Sequence, residues 1–312
     1  MPGTHGEDGG RGERDGMNLG INLCFAVKRY LEPAAWARFV AEDLGLSSVQ
    51  FTFDLLDPWW PDTERNTLIQ QVVNAAASYG LDIPSAYVGL AHYVPGGLLD
   101  PSPDARRIAV KWWLRACDVA ATLGAHAIGG PLGTMSITDA ASPEARTRRY
   151  RELLDSVTEI TAYAHAAGLR QFLIEPTPIA REIPSTPSQS RQLITDLTAR
   201  AAVQVALTLD VGHTVYEPLY GPDAATRDWI SALAGMIGMI HLDNTDRRGD
   251  PHWGWPDERG TIDVAGLAAD LRHAGLGQVP VVLEVYPRFE DDDQQARSVI
   301  ASSVAHCKAA LS

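Results

Sequence analysis

Hydrophobic and polar residues follow two alternating patterns along this chain. Short apolar runs, typical of buried parallel strands, are each followed by a longer amphipathic stretch, typical of a helix that packs on one face. The predicted strands cover residues 18–27, 47–53, 82–90, 125–130, 170–177, 203–212, 236–243 and 280–286. The predicted helices cover residues 33–44, 62–79, 102–124, 143–168, 186–200, 224–235, 263–275 and 292–311.

Eight strands, each followed by a helix, form the element order of an α/β (β/α)8 barrel, the TIM barrel. We predict one catalytic barrel domain over residues 17–312, because no linker divides that stretch. Residues 1–16 are rich in glycine and charge and lack an apolar run, which favours a disordered tail. Asp62, Ser102 and Asp263 stand where helix N-caps are expected.

Composition limits the partners of this chain. It has 312 residues, with 39 acidic against 26 basic side chains and a formal net charge of −13, which disfavours binding to nucleic acid. No apolar run approaches the roughly 18 residues that cross a bilayer, so we expect no membrane segment. Cys24, Cys117 and Cys307 are far apart and odd in number, which favours free thiols and a cytoplasmic location.

Four consecutive predicted strands each carry, near the carboxyl end, a side chain that binds divalent metal ions. These side chains are Glu175, Asp210, His241 and Glu284, spaced by roughly one strand–helix repeat. Because the carboxyl ends of parallel strands meet at one rim of a barrel, we expect the four to converge there. Each alone could be an ordinary salt-bridge partner, but four buried groups of this kind are costly unless they are paired.

Three carboxylates and one imidazole form a hard, oxygen-rich ligand set. Such a set suits one divalent metal, Mn²⁺ first and Mg²⁺ or Co²⁺ next, and no cysteine lies near these strand ends to favour a zinc thiolate. A metal that holds two neighbouring sugar oxygens acidifies the C–H bond between them. Glu175 and Glu284 could then take a proton from one face and return it to the other. That chemistry is epimerisation or isomerisation through a cis-enediolate.

The same four residues look like the metal site of the xylose-isomerase-like barrel superfamily. The chain is most similar to its sugar (phosphate) isomerase/epimerase branch, which includes the ketose 3-epimerases. This resemblance implies that Glu175 and Glu284 are both metal ligands and the acid/base pair. It also implies substrate contacts by His213, which ends an Asp-x-x-His element, by Arg247, and more loosely by Glu182.

Segments 22–29 and 54–60, together with His252-Trp253, resemble the tetrulose-phosphate epimerases of erythritol catabolism. That resemblance implies erythrulose phosphate as the substrate. Lys28, which follows the first strand, is a candidate phosphate contact.

Three further residues lie in segments that follow strands and are candidates for lining the sugar pocket. They are His92, Trp59 and Trp253. The tryptophans could equally form an interface in a homo-oligomer, since relatives of this kind are dimers or tetramers and exposed indoles are costly unless covered.

The same barrel and ligand set also occur with other functions. A lyase of the same barrel, such as a C-glycoside-cleaving subunit with a small partner subunit or a keto-acid decarboxylase, would use the same metal. An apurinic endonuclease needs further histidine and glutamate ligands and conflicts with the acidic charge. A non-enzymatic barrel would lack one of the two glutamates, yet both Glu175 and Glu284 are present.

Overall fold

The computed structural model describes residues 16–312. Eight parallel strands close into a barrel in chain order, and β1 pairs with β8. This confirms the predicted (β/α)8 fold, whereas the predicted tail, apart from Gly16, lies outside the described residues. The strands are β1 Leu19–Asn22, β2 Ser48–Thr52, β3 Asp82–Tyr87, β4 Ala127–Gly130, β5 Gln171–Ile174, β6 Gln204–Asp210, β7 Ile237–Leu242 and β8 Val281–Leu283.

A helix follows each strand, close to the predicted bounds. The helices are Pro33–Arg38 with a π-helical turn Phe39–Asp43, Asp62–Tyr79, Pro103–Thr122, Pro143–Ala166, Pro187–Thr198, Thr226–Leu233, Val264–His273 and Asp293–Leu311. Short helical segments that the sequence pattern did not predict lie mostly in the loops after the strands. They are Leu23–Ala26, Leu90–Tyr93, Ile137–Ala141, Val211–Thr214, Glu217–Tyr220 and Ala234–Met236.

Two of the three predicted N-caps are present. The Ser102 hydroxyl and the Asp263 carboxylate accept hydrogen bonds from backbone N–H groups in the first turns of their helices. The prediction for Asp62 was wrong, because Pro61 is the capping residue and Asp62 is the first residue of its helix. Its carboxylate pairs with Arg115 instead, at 3.1 Å.

The first predicted strand, 18–27, was too long. β1 ends at Asn22, whose side-chain oxygen accepts a 2.8 Å hydrogen bond from the N–H of Cys24 and turns the backbone into the helical segment Leu23–Ala26. Every residue of that segment is buried, so the apolar run continues after the strand has ended. An apolar pattern cannot distinguish a buried strand from a buried turn.

Side chains fill the inside of the barrel, so the barrel is a packed core and not a channel. Gly129 has no room for a side chain, because a Cβ there would lie 2.5 Å from the Cβ of Leu173 and 2.7 Å from the ring of Tyr87. The Tyr87 ring also packs edge-on against His241, at 4.6 Å between centroids, and so joins this core to the rim. The interior residues are Tyr87, Ala127, Leu173, Ala206, Met239 and Val282.

The described cysteines are all buried free thiols, as expected. Burial raises the pKa of Cys117 to about 12, which keeps this thiol protonated and unreactive at neutral pH.

Among the described helices, none combines the length and the apolar composition that crossing a membrane requires.

We expect Leu173→Ala to lower the free energy of unfolding by about 2–5 kcal/mol, because it opens a cavity in the barrel interior where Leu173 is fully buried. Urea denaturation followed by circular dichroism measures this loss. The control is Leu31→Ala, since Leu31 is 66% exposed and its removal should change stability by less than about 0.5 kcal/mol. Equal effects at both positions would contradict the assignment of the barrel core.

Candidate metal centre

The four predicted metal ligands converge at the carboxyl ends of β5 to β8. Glu175 and Glu284 directly follow β5 and β8, Asp210 ends β6, and His241 lies in β7 as the register partner of Asp210. All four are buried, and one ligand atom from each lies within 4.8 Å of the others. Barrel closure therefore gathers residues that are more than a hundred positions apart in the chain.

His241 is the centre of this quartet. Its Nδ1 lies 2.8 Å from Oε2 of Glu284 and 3.2 Å from Oε1 of Glu175. One carboxylate oxygen of Asp210, Oδ2, is buried and has no hydrogen-bond partner among the described residues. A buried carboxylate oxygen without a partner is expensive in a protein interior, so its presence points to a cation as the missing partner.

The electrostatics of the quartet favour an added positive charge. Burial lowers the pKa of His241, but the carboxylates of Glu284 and Glu175 outweigh burial and raise that pKa to about 10. No arginine or lysine is among the described residues that line the adjoining cavity. Three carboxylate ligands and one nitrogen ligand fit a hard divalent cation, and such a cation would supply the charge that a proton on His241 otherwise supplies.

Buried polar residues on β1 and β2 hold Glu284 in place. The Asn22 amide donates a 2.9 Å hydrogen bond to Oε1 of Glu284 and a 2.6 Å bond to the side-chain oxygen of Gln50. Gln50 in turn donates to the hydroxyl of Ser85. Our interpretation of the sequence missed this support, although polar residues inside apolar strands, such as Asn22 and Gln50, were a visible signal.

A second cluster of imidazoles and carboxylates lies beside the quartet. His213 Nδ1 is 3.0 Å from the carbonyl of Pro176, and His252 Nδ1 is 3.1 Å from the carbonyl of Glu284. A carbonyl only accepts, so both Nδ1 atoms carry the proton. Each Nε2 then faces one oxygen of Asp250, at 3.2 Å in both cases.

This arrangement needs positive charge between the imidazoles and Asp250, because two Nε2 lone pairs would otherwise meet a carboxylate. Either both rings are protonated or a cation lies among them. Burial lowers the pKa of His213, but Asp210 and Asp250 outweigh it and raise that pKa well above its ordinary value. Asp243, also in this cluster, has a buried Oδ2 without a partner. These residues could hold a second cation.

Asp250 was not among our predicted site residues. It lies in the loop after β7, where a single aspartate has no sequence context that distinguishes it from an exposed turn residue. The loop brings it within 3.2 Å of both His213 and His252. His213, which was predicted to face the site, does line the cavity.

Glu182 is buried close to the centre but does not line the cavity. Its two oxygens accept hydrogen bonds from the Thr177 hydroxyl, at 2.5 Å, and from the Tyr93 hydroxyl, at 3.1 Å. Burial raises the pKa of Glu182, and these two hydrogen bonds oppose the rise. Its role in this structure is to hold Thr177 and Tyr93, which are the residues that reach the cavity.

The two predicted cationic contacts lie away from the cavity lining. Arg247 has its guanidinium engaged by backbone carbonyls of residues 215–224 and by Glu217, and its backbone has a φ of 68°. Lys28 is exposed, and its ammonium lies 4.5 Å from the ring centroid of Phe289. In this conformation neither side chain reaches the quartet.

The three other candidate lining residues also lie outside this cavity. His92 pairs with Asp57 at 3.2 Å, and both His92 and Trp59 line a separate apolar cavity next to the centre. The Trp253 ring is covered by the guanidinium of Arg259, at 3.8 Å. The structure thus joins the quartet, His213, Asp250 and His252, but not these aromatic residues.

The cavity at the candidate metal centre is small, about 70 Å³. Tyr93 and Tyr286 form part of its wall on the side of the loops after β3 and β8. The remaining lining residues are Val88, Gly89, Leu90, Pro131, Glu175, Thr177, His213, Asp250, His252 and Glu284.

Fold and site together define an α/β-barrel protein with a buried carboxylate–imidazole centre at its carboxyl-end rim. Residues 39–306 match the xylose isomerase-like TIM barrel family, and the chain belongs to that family. It is 25% identical over 298 residues to D-erythrulose 1-phosphate 3-epimerase of Brucella abortus (strain 2308), covering 93% of this chain and 94% of that protein.

Solved structures share the whole barrel. A Rhodospirillum rubrum protein, described as a candidate xylose isomerase, has a TM-score of 0.91 and 36% identity over 94% of this chain and 99% of its own. A D-psicose 3-epimerase from Clostridium cellulolyticum H10 has a TM-score of 0.69 and 18% identity over 95% of this chain and 99% of its own, which shows the fold alone. The predicted isomerase or epimerase class is consistent with these relatives.

We expect Asp210→Asn to weaken Mn²⁺ binding at least about 10-fold, since it removes one anionic ligand from the quartet. The metal-free variant should melt at the same or a higher temperature than the wild type, because repulsion among buried carboxylates is reduced. Isothermal titration calorimetry and thermal unfolding measure the two effects. Asp223→Asn, on the exposed surface, is the control. Unchanged Mn²⁺ affinity in Asp210→Asn would count against the proposed centre.

Proposed function

We propose that this protein is a divalent-metal-dependent epimerase of a small ketose or ketose phosphate. The observation that supports it best is the convergence of two buried glutamates, from β5 and β8, on the same cavity and the same imidazole nitrogen. Two carboxylates that reach a substrate from different sides of the rim are what an exchange of stereochemistry requires, because a proton must leave one face and arrive at the other.

The proposed step is a proton transfer at the carbon next to the ketose carbonyl. One of Glu175 and Glu284 removes the C3 proton, and the other delivers a proton to the opposite face. A divalent metal held by Glu175, Asp210, His241 and Glu284 would act as a Lewis acid on the substrate oxygens. The return reaction uses the same two groups with their roles exchanged, so each glutamate serves as base in one direction and as acid in the other.

Neighbouring residues keep the pair in position and restrict water. Asn22 and His241 fix the carboxylate of Glu284 through bonds of 2.9 and 2.8 Å, which limits its rotation. Tyr93 and Tyr286 close part of the small cavity, and their rings exclude solvent from the reacting carbon. His213 and His252 line the same cavity together with Asp250, whose carboxylate faces both Nε2 atoms at 3.2 Å and could also accept a hydrogen bond from a substrate hydroxyl.

Erythrulose phosphate is the substrate that we propose, by analogy with the Brucella relative. A cavity of about 70 Å³ holds only the reacting carbons and their oxygens, so a phosphate must extend to the rim. Lys28 is exposed in the segment between β1 and the first helix, and its ammonium lies over the ring of Phe289. A flexible exposed lysine can bind a phosphate as a point charge without the fixed geometry of an arginine fork.

Glu175→Gln and Glu284→Gln should each lower the rate of epimerisation by about 10²–10⁴-fold, because a neutral amide cannot act as a base. The reaction is followed in D₂O by NMR, with the ketose or its phosphate and Mn²⁺. Each variant keeps one base, so each should still exchange the C3 proton of one epimer, and the two variants should prefer opposite epimers.

Exposed Glu290→Gln is the matched control and should react like the wild type. Mn²⁺ affinity is measured in parallel, since both glutamates are also proposed ligands. Normal epimerisation by either active-site variant would remove the acid/base assignment. Release of CO₂ or of an aglycone by the wild type would show a lyase instead.

The variant Lys28→Ala tests whether the Lys28 ammonium contacts the phosphate of the substrate. We expect the KM for erythrulose phosphate to rise about 10-fold while the KM for free erythrulose is unchanged, because only the phosphorylated substrate uses the ammonium. Lys111→Ala, on a helix of the outer ring, is the control. Equal changes for both substrates would contradict a phosphate contact at Lys28.

A further inference from the structure

A second cavity, of about 260 Å³, lies beside the metal centre. Three elements build it: the segment after β3, the first half of helix Pro103–Thr122, and the turn after β4. Trp59, from the loop after β2, forms part of its edge. None of the proposed chemistry above uses this cavity.

Its lining is mainly apolar. The indoles of Trp112 and Trp113 are buried in its wall, and they contact each other edge to face at 5.5 Å. At its edge, Trp59 is 42% and Ile108 is 59% exposed. Large apolar side chains that stay exposed beside an apolar cavity favour a bound partner that would cover them.

The backbone keeps the cavity open. Gly97 and Gly133 pair as an isolated antiparallel bridge, which joins the segment after β3 to the turn after β4. A Cβ on Gly133 would lie 2.2 Å from the carbonyl oxygen of Gly96, so only glycine allows this approach. Two further backbone hydrogen bonds connect the same two segments. The Leu98 N–H donates to the Leu132 carbonyl at 2.9 Å, and the Thr134 N–H donates to the Gly96 carbonyl at 3.0 Å. A cavity with such a fixed floor does not need to open before a ligand binds.

A few polar groups accompany the apolar wall. The His92 ring packs on Trp112, at 4.4 Å between centroids, and its Nε2 pairs with Asp57. Asp100 also lines the cavity. An apolar wall with a small number of polar groups is the usual composition of a small-molecule site.

We propose that this cavity binds one apolar group of the size of an aromatic ring. A dry cavity of about 150 Å³ is enough for benzene, so 260 Å³ has room for a bicyclic group such as an indole. Three stacked or edge-on aromatic contacts, with Trp59, Trp112 and Trp113, would hold a planar ring.

The cavity shares a wall with the metal centre. Val88, Tyr93 and Pro131 line both cavities, and the Tyr93 hydroxyl donates to Glu182 on the metal side. The apolar group is therefore either a substituent on the sugar that binds at the metal centre or a separate small molecule. Binding of an apolar group in this cavity does not depend on the proposed function. The alternative in which that group is a substituent on the sugar does rest on it.

Binding to the metal-loaded protein is tested by calorimetry with indole and phenol as probes, and by tryptophan fluorescence with phenol alone, because free indole emits like tryptophan. We expect saturable binding of at least one probe, with a change in emission because Trp112 and Trp113 lie in the wall. Ala109→Phe places a ring in the cavity and should weaken binding at least 10-fold. Ala162→Phe, on the exposed face of another helix, should leave binding unchanged.

A second variant, Ala105→Leu, fills less of the cavity and keeps the test valid if Ala109→Phe misfolds. Circular dichroism shows whether each variant is folded. The proposal is overturned if neither probe binds at millimolar concentration, or if both folded variants bind like the wild type.

The two sources of the group are separated by comparing erythrulose with its phenyl ether. A phenyl ether that binds more tightly than erythrulose, with the gain lost in Ala109→Phe, identifies a substrate substituent. Simultaneous binding of indole and erythrulose, without any gain for the ether, identifies a separate molecule. Failure of all ketose turnover would refute the proposed function and would leave the indole result intact.

Discussion

Charge repulsion among buried carboxylates is the constraint on which this protein depends. Glu175, Asp210 and Glu284 meet at one rim of the barrel, and His241 is the member of the quartet that can carry a positive charge. Such a group of anions is unstable in a low-dielectric interior unless positive charge is added. The raised pKa of His241 and the unpartnered oxygen of Asp210 are two consequences of this single requirement. A divalent cation would satisfy both at once.

The barrel core keeps these anions together. Tyr87 packs on His241 from inside the barrel, and Asn22 and Gln50 extend a polar chain from Glu284 to β2. The close-packed interior below the rim keeps the carboxylates from moving down into the barrel. The stability of the whole barrel therefore offsets the cost of the repulsion together with the local contacts that Asn22 and His241 make to the carboxylates.

The candidate catalytic side chains and the apolar cavity lie at different parts of the rim. The ends of β5 to β8 carry the titratable side chains, whereas the apolar cavity lies over β3 and β4 with Trp59 at its edge. Tyr93 stands between the two parts, since its ring lines both cavities and its hydroxyl bonds to Glu182. Under the proposals above, the polar part of the rim would take the reacting sugar and the apolar part a group beside it.

The repeat of strand and helix and the convergence of four strand-end residues could be predicted from the sequence alone. Both follow from local periodicity, because parallel strands in a barrel bring their carboxyl ends to one rim in any member of this fold. The order of the elements thus located Glu175, Asp210, His241 and Glu284 without any knowledge of loop conformation. His213, three residues after Asp210, was expected at the site from the Asp-x-x-His element of the family resemblance.

Only the tertiary structure determines which loop side chains face the rim. Asp250 joins His213 and His252, while Arg247 turns toward backbone carbonyls and Trp253 lies under Arg259. Long-range contacts set these directions, and nothing in the local sequence distinguishes a loop residue that faces the rim from one that faces solvent. The apolar cavity has the same origin, because it forms only where a loop, a helix and a turn from three parts of the chain pack together.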